Sequence, residues 1–325
     1  MLLEIQDLNY PWTLWFVRII ENRGGRLHLQ YVTKLNGNDD EHNKEDINDI
    51  RIFYLDRRVH TIGWRSINPS IYSYDIPSNV KSISDKQSII DFCLNESKTQ
   101  FLPPHVFKEQ EEINKHNFIE GMKLEVFEPI SQQIYVGHIG HVHNEFYFDV
   151  LIDHIDDNDD KNLEKPWSFV AHSTHPHILP PHWAAEHKLI LMKGKDHQQS
   201  DDYWNVYTET HGINDLAPDK CFNLITLNAT GSNRMEPGMK MEMIYTIKGN
   251  DVVFSVTLIH VADHLMWLRV DNPSLFEDEH LFYHVLPINS LDVFPVGWAK
   301  FNGYELVLPL QYQTMSNNYE IDLRQ

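Results

Sequence analysis

Hydrophobic positions along the chain fall into short runs rich in β-branched and aromatic residues: Trp15–Glu21, Arg26–Val32, Tyr135–Val142, Tyr147–Ile152, Val252–Val261 and Leu265–Val270. Gly24-Gly25, His143-Asn144 and Asp263-His264 interrupt these runs in pairs, which predicts antiparallel hairpins with tight turns. Strands this short, punctuated this often, predict small β-barrels. Two stretches change period. Lys86–Leu94 sets Ile89, Ile90 and Cys93 on one side of a helix, and Ser200–Thr210 does the same with Tyr203, Trp204 and Tyr207. A Pro-bearing extended strap follows each helix, Phe101-Leu102-Pro103-Pro104 and Leu216-Ala217-Pro218, and each strap leads to an aromatic, Phe107 or Phe222.

The pattern repeats. Gly121-Met122-Lys123-Leu124-Glu125 returns as Gly238-Met239-Lys240-Met241-Glu242, 117 residues on. Asp292-Val293-Phe294-Pro295-Val296-Gly297-Trp298 has two earlier relatives, His177-Ile178-Leu179-Pro180-Pro181-His182-Trp183 and Val59-His60-Thr61-Ile62-Gly63-Trp64. The opening Leu3-Glu4 matches Leu124-Glu125. A period near 117 exceeds a solenoid unit of roughly 20–50 residues and suffices for a small domain. The expected organisation is a copy at 1–80 without its arm, a second at 81–195 (arm 84–117, barrel 118–195), a third at 196–312 (arm 198–234, barrel 235–312) and a tail at 313–325.

Charge narrows the partners. Against 47 Asp and Glu stand 27 Lys and Arg, a net charge of −20, which disfavours a phosphate-gripping surface and suits a basic partner. No direct nucleic-acid binding is expected. The two cysteines, Cys93 and Cys221, form neither a disulfide framework nor a thiolate zinc site. No apolar run reaches the roughly 18–20 residues of a membrane span, and the opening MLLEIQDLNYPW lacks a signal peptide's positive charge. The expectation is a soluble, intracellular protein with no membrane partner.

Phe118-Ile119-Glu120-Gly121-Met122-Lys123-Leu124-Glu125, Val293-Phe294-Pro295-Val296-Gly297-Trp298 and Asn302-Gly303-Tyr304-Glu305-Leu306, with an arm of the type Asp202-Tyr203-Trp204…Ala217-Pro218…Phe222, resemble malignant-brain-tumour (MBT) repeats over nearly the whole chain. The likeness is greatest to the Scm-related, four-MBT-repeat Polycomb proteins (the Sfmbt type), repeats two to four. Glu21–Tyr31 resembles their second repeat, Trp167–Ile178 their third and Ser290–Trp298 their fourth. The resemblance implies a mainly β fold of three tandem Tudor-like barrels with helical and extended arms. It also implies a nuclear location and chromatin repression. The implied partners are histone tails, a DNA-binding zinc-finger transcription factor of the Pho/YY type, and other Polycomb proteins.

In such repeats three aromatics and an Asp cage a mono- or dimethyl-lysine. The rings attract the ammonium and the carboxylate accepts its surviving N–H. The resemblance puts Asp7 and Tyr31 at the first copy's acidic and first aromatic positions, with Lys34 at the second aromatic position. The second copy carries Glu128, Ile152 and Ile155 at the three positions, and the third carries Tyr245 and Val270 at the first two, with Ser274 near the last. An aliphatic wall does little for a cation, and burying it without a carboxylate is costly. All three pockets read as degenerate, with Asp7 and Tyr31 the remaining candidates.

Twenty histidines raise the alternative of a metal-dependent β-barrel enzyme. The clusters are His138, His141 and His143; His172, His175 and His177; and His280 with His284. None has HExxH spacing, and His182-Trp183-Ala184-Ala185-Glu186-His187 does not match it either. Without a Walker loop, GxGxxG or GxSxG, no cofactor, metal or catalytic residue is assigned. The acidic runs 39–41, 156–160 and 276–279 could draw in a basic tail. Trp64, Trp183 and Trp298 are expected to fill the barrel cores, the arms to dock on a barrel, and His182, standing where the other copies have Gly, to need no positive φ.

Overall fold

The computed structural model describes residues 1–34, 49–67, 69–80, 83, 85–96, 114–153, 168–193, 198–199, 203–222, 235–247, 249–272 and 282–307. It is mainly β, in three sheets of one design. The first comprises β1 (Leu2–Gln6), β2 (Thr13–Arg23), β3 (Arg26–Tyr31), β4 (Asp49–Phe53), β5 (Val59–His60) and β6 (Ser73–Tyr74). The antiparallel order is β4-β3-β2-β1-β5, and β6 adds in parallel to β2. After α1 (Lys86–Glu96), the second sheet comprises β7 (Lys123–Glu128), β8 (Gln133–Val142), β9 (Phe148–Ile152), β10 (Ser168–Ala171) and β11 (Ile178–Leu179). α2 (Trp183–Glu186), β12 (Leu191–Lys193), β13 (Gln198–Gln199) and α3 (Tyr203–His211) complete that region. The third comprises β14 (Lys240–Ile247), β15 (Asn250–Ala262), β16 (Leu265–Val270), β17 (Tyr283–Pro287), β18 (Val293–Phe294), α4 (Trp298–Phe301) and β19 (Leu306–Val307). Its order, β17-β16-β15-β14-β18 with β19 parallel to β15, is that of the first sheet.

The predicted hairpins are present, and each long second strand bends at a register shift: between Ile19 and Glu21 in β2, Ile139 and Val142 in β8, and Leu258 and His260 in β15. Such a bulge adds a residue on one strand and sharpens the twist that curls a sheet into a barrel. Short closing strands such as β5, β11 and β18, two residues each, carry too little pattern to be read from sequence.

The chain divides into two packed units, Met1–Glu112 with Tyr245–Val252, and Ile113–Ile244 with Val253–Gln325. In the first unit, α1 is started by Asp85, whose carboxylate accepts the Ser88 amide at 3.1 Å. Its Ile89, Ile90 and Cys93 join Leu2, Leu3, Phe16 and Val59 in one core. The helix placed in the second copy's arm thus packs on the first barrel. In the second unit, α3 sends Trp204 into a core with Phe127, Leu179 and Trp183 of the second barrel and Ala262, Leu265 and Val285 of the third. The strap after α3 runs beside β7, where the Lys123 amide donates to Asp215 at 2.7 Å and the Ala217 amide to Lys123 at 2.9 Å. The strap at 101–104, Phe107, Trp167 and the three acidic runs lie outside the described residues.

Candidate functional site

Each first strand ends in a turn, and the acidic pocket position sits on it. In the first barrel Asp7 Oδ1 accepts the amides of Asn9 (2.8 Å) and Tyr10 (2.9 Å), a local turn that an Asp side chain stabilises. Oδ2 accepts the Ser78 amide at 2.7 Å, and the Ser78 hydroxyl donates at 2.9 Å. A carboxylate offers about four lone-pair sites. Four donors meet them, and Asp7 is 4 % exposed. Tyr31, at the end of β3, is 7 % exposed and hydrogen-bonds Asn79. Burial, then the negative charge of Asp7, push its hydroxyl up to about 12, while Arg58 acts the other way. The two candidates are therefore close enough to couple electrostatically. Lys34 is exposed.

The other two barrels differ at these positions. Glu128 accepts the amides of Ile130 (2.8 Å) and Ser131 (2.6 Å), so it too serves its own turn, and Ile152 is buried in the core. Tyr245 is 38 % exposed, and Val270 is buried. Ile155 and Ser274 lie outside the described residues.

Three residues before each of these positions stands a glutamate with a different task. Glu4 accepts the amides of Gly63 (2.6 Å) and Arg65 (3.2 Å) and the Tyr74 hydroxyl (2.5 Å). Glu125 accepts the Ala184 amide and the Trp204 indole N–H, both at 2.7 Å, together with the His182 amide. Glu242 accepts the amides of Gly297 (2.7 Å) and Ala299 (2.6 Å). In every barrel the strand-one glutamate thus grips the turn that carries the tryptophan. Burial raises the pKa of Glu4, and that of Glu125 is pushed up to about 7. Leu-Glu and Gly-Trp were both visible as marks in the sequence. That one side chain binds the other's backbone, 55 to 61 residues away, was not.

The tryptophans are not equivalent. Trp183 is 2 % exposed and stacks on His187, ring centroids 4.2 Å apart. Trp64 and Trp298 are half-buried, so the expectation that each fills its core is corrected for these two. Trp64 lies flat on His60 at 3.6 Å and Trp298 on Phe294 at 3.8 Å, roofing their barrels. The expectation for His182 is overturned: its φ is 74°, beside 94° at Gly63 and 98° at Gly297. The turn sets that conformation, and glycine only makes it easy.

The histidine clusters are taken up by carboxylates and by one another. His138 Nδ1 meets Asp153 at 2.5 Å, His141 meets Glu120 at 2.9 Å, and His143 meets Asp149 at 2.7 Å. The rings of His172, His175 and His177 contact in sequence, with His175 to His177 at 5.2 Å. His280 lies outside the described residues. Among the described residues no three His, Cys, Asp or Glu side chains converge as a metal site.

The family model described as "mbt repeat" matches residues 1–69, 122–205 and 239–313. Scm-like with four MBT domains protein 2 of Mus musculus is 28 % identical over 334 residues, covering 99 % of this chain and 32 % of that protein. MBT domain-containing protein 1 of Homo sapiens is 26 % identical, covering 90 % and 41 %. Among solved structures, the four MBT repeats of Drosophila melanogaster Sfmbt in complex with the peptide RHR(me)KVLR align with a TM-score of 0.61 at 19 % identity. That alignment covers 95 % of this chain and 66 % of that one. The chain spans about one third of the length of the four-MBT relatives it matches.

Proposed function

Because the chain belongs to the MBT-repeat family, we propose that it is a non-catalytic, nuclear, chromatin-associated adaptor of Polycomb-type transcriptional repression. It binds its partners through barrel surfaces and does not read a methyl mark. The partners are histone tails, a DNA-binding zinc-finger factor of the Pho/YY type and other Polycomb proteins. One observation carries this reading: the acidic position of the first barrel is spent. All four acceptor sites of Asp7 are filled by Asn9, Tyr10 and Ser78, so none is left for the N–H of a methylammonium. The other barrels offer Ile152 and Val270 where a ring would stand. The net charge of −20 supports basic partners, attracted at long range and weakened by salt.

A second reading, a working mono- or dimethyl-lysine reader, has its own support. Asp7 still acts on Tyr31, and the Sfmbt repeats are named in complex with a methylated-lysine peptide. Titrating unmethylated, mono- and dimethylated histone peptides while following Tyr31 by NMR separates the two. The adaptor reading expects affinity weaker than about 1 mM, under about 4 kcal/mol, without methyl preference. A methyl-dependent shift at Tyr31 that Asp7→Ala abolishes would establish the reader instead.

A further inference from the structure

The first unit contains one piece of the third copy, the tip of the β14–β15 hairpin at Tyr245–Val252. A polar cluster holds it there. Asp251, whose side chain is 3 % exposed, sets Oδ2 3.4 Å from Arg26 Nε and 3.7 Å from Arg51 Nη1. Its Oδ1 accepts the Thr246 hydroxyl at 2.8 Å. Arg51 Nε donates to the Gly249 carbonyl at 2.6 Å, and Arg26 Nη2 donates to the Thr246 hydroxyl at 3.3 Å. Both guanidiniums are largely withdrawn from water, with side chains 9 % and 20 % exposed. Asp49, the carboxylate on β4, is held by His28 at 2.8 Å. Two arginines of the first barrel's outer strand pair, β3–β4, thus converge on one carboxylate.

The second unit contains the same kind of meeting in apolar form. Arg26 pairs with Phe53, and Arg51 with His28, across β3–β4; Leu265 pairs with Pro287, and Val285 with Trp267, across β16–β17. Arg26 and Leu265 each open their strand, so Arg26 and Arg51 hold the positions of Leu265 and Val285. The β7–β8 hairpin puts Phe127 and Ile134 in one core with Leu265 and Val285, and Gln132 Nε2 at its tip donates to the Tyr283 carbonyl of β17 at 2.5 Å. Gln132 is the counterpart of Asp251. Two residues after each stands the residue that meets the parallel strand, Ile134 on β12 and Val253 on β19. A carboxylate seated on Leu265 and Val285 would be buried without a cation, and a glutamine between Arg26 and Arg51 would leave both without a counter-charge. Either exchange is costly, so each wrong pairing is penalised.

We propose that the residue at the hairpin tip and the two outer-strand residues form a matched key that selects the strand pair on which each hairpin seats. Asp251 with Arg26 and Arg51 is the ionic key of the third copy's hairpin, and Gln132 with Leu265 and Val285 the neutral key of the second's. Hydrogen–deuterium exchange on the full chain tests this. Asp251→Asn, which keeps size and shape, should speed exchange at 245–252 roughly tenfold and leave the hairpin tip at 128–134 at the parental rate. Arg26→Leu/Arg51→Val, which copies the pair on β16–β17, should do the same. Adding Asp251→Gln to that double variant restores a match and should return 245–252 to within roughly twofold of the parent. Parental exchange at 245–252 in either mismatched variant would overturn the proposal. So would a triple variant that exchanges as fast as the double, or acceleration that reaches 128–134 equally, which marks a general loss of stability.

Discussion

The two acidic positions on each first strand, three residues apart, have had opposite fates within one chain. Glu4, Glu125 and Glu242 are the same residue three times, each bound to the same two backbone amides of the tryptophan turn. The position at the strand's end is Asp7, then Glu128, then Tyr245. The first is a requirement of the barrel: a closing turn with two buried amides needs an acceptor, and losing it strands both. The second holds its own turn where it is acidic, and in the third barrel its place is taken by a partly exposed tyrosine. Repeats that share a scaffold therefore diverge at the mouth while the clasp beneath stays fixed.

The largest expected effect lies at the clasp of the second barrel. Trp204→Ala removes a nearly fully buried ring and the indole donor to Glu125, and should cost roughly 3–5 kcal/mol in urea unfolding. An unchanged midpoint would detach α3 from the argument for that core. Next, Glu242→Ala should lose roughly 2–4 kcal/mol by leaving the amides of Gly297 and Ala299 without an acceptor. A loss under half that would mean water replaces the carboxylate.

Acidity sharpens the comparison further, because buried groups in the first and second barrels respond with opposite signs. Burial pushes His60 down to about 3 from an ordinary 6.5, so it folds neutral while the unfolded chain takes up a proton; stability is lost as pH falls from about 6.5 toward 3. Glu125, raised to about 7 from 4.5, binds its proton more tightly when folded, so its contribution falls as pH rises from about 4.5 to 7. Glu125→Gln should therefore gain on the parent progressively across that window. A variant-to-parent difference independent of pH would show that Glu125 does not titrate there. The smallest effect belongs to the mouth of the third barrel: Tyr245→Ser should stay within about 0.5 kcal/mol, whereas Asp7→Ala, which frees three turn amides, should cost roughly 1–3 kcal/mol.

The hairpins and the threefold repeat were legible because alternation and turn residues are local properties. Lys86–Leu94 was readable as a helix for the same reason, yet its destination was not. Amphipathicity says that Ile89 and Cys93 must be covered, and packing on the barrel behind them is decided by a surface assembled from β1, β2 and β5. His182 misled because glycine at the two sister positions looked like the cause of the turn. The backbone is held there by Glu125, and the histidine accepts a left-handed conformation worth roughly 1–3 kcal/mol of strain. At the candidate site, the resemblance singled out Asp7 and Tyr31. That Ser78, 71 positions along the chain, closes the acid is information carried only by the fold.

The bulge in every second strand has a consequence for how such a chain can change over time. The extra residue uncouples the outer half of β2, β8 and β15 from the pairing register of the inner half. A hairpin tip can then lengthen, shorten or trade residues, as Gly24-Gly25, His143-Asn144 and Asp263-His264 already differ, without turning the core-facing side chains of the inner strand outward. The bulge works as a firewall between a variable rim and an invariant wall, so new recognition surfaces can be tried at one end of a barrel while the other end keeps folding.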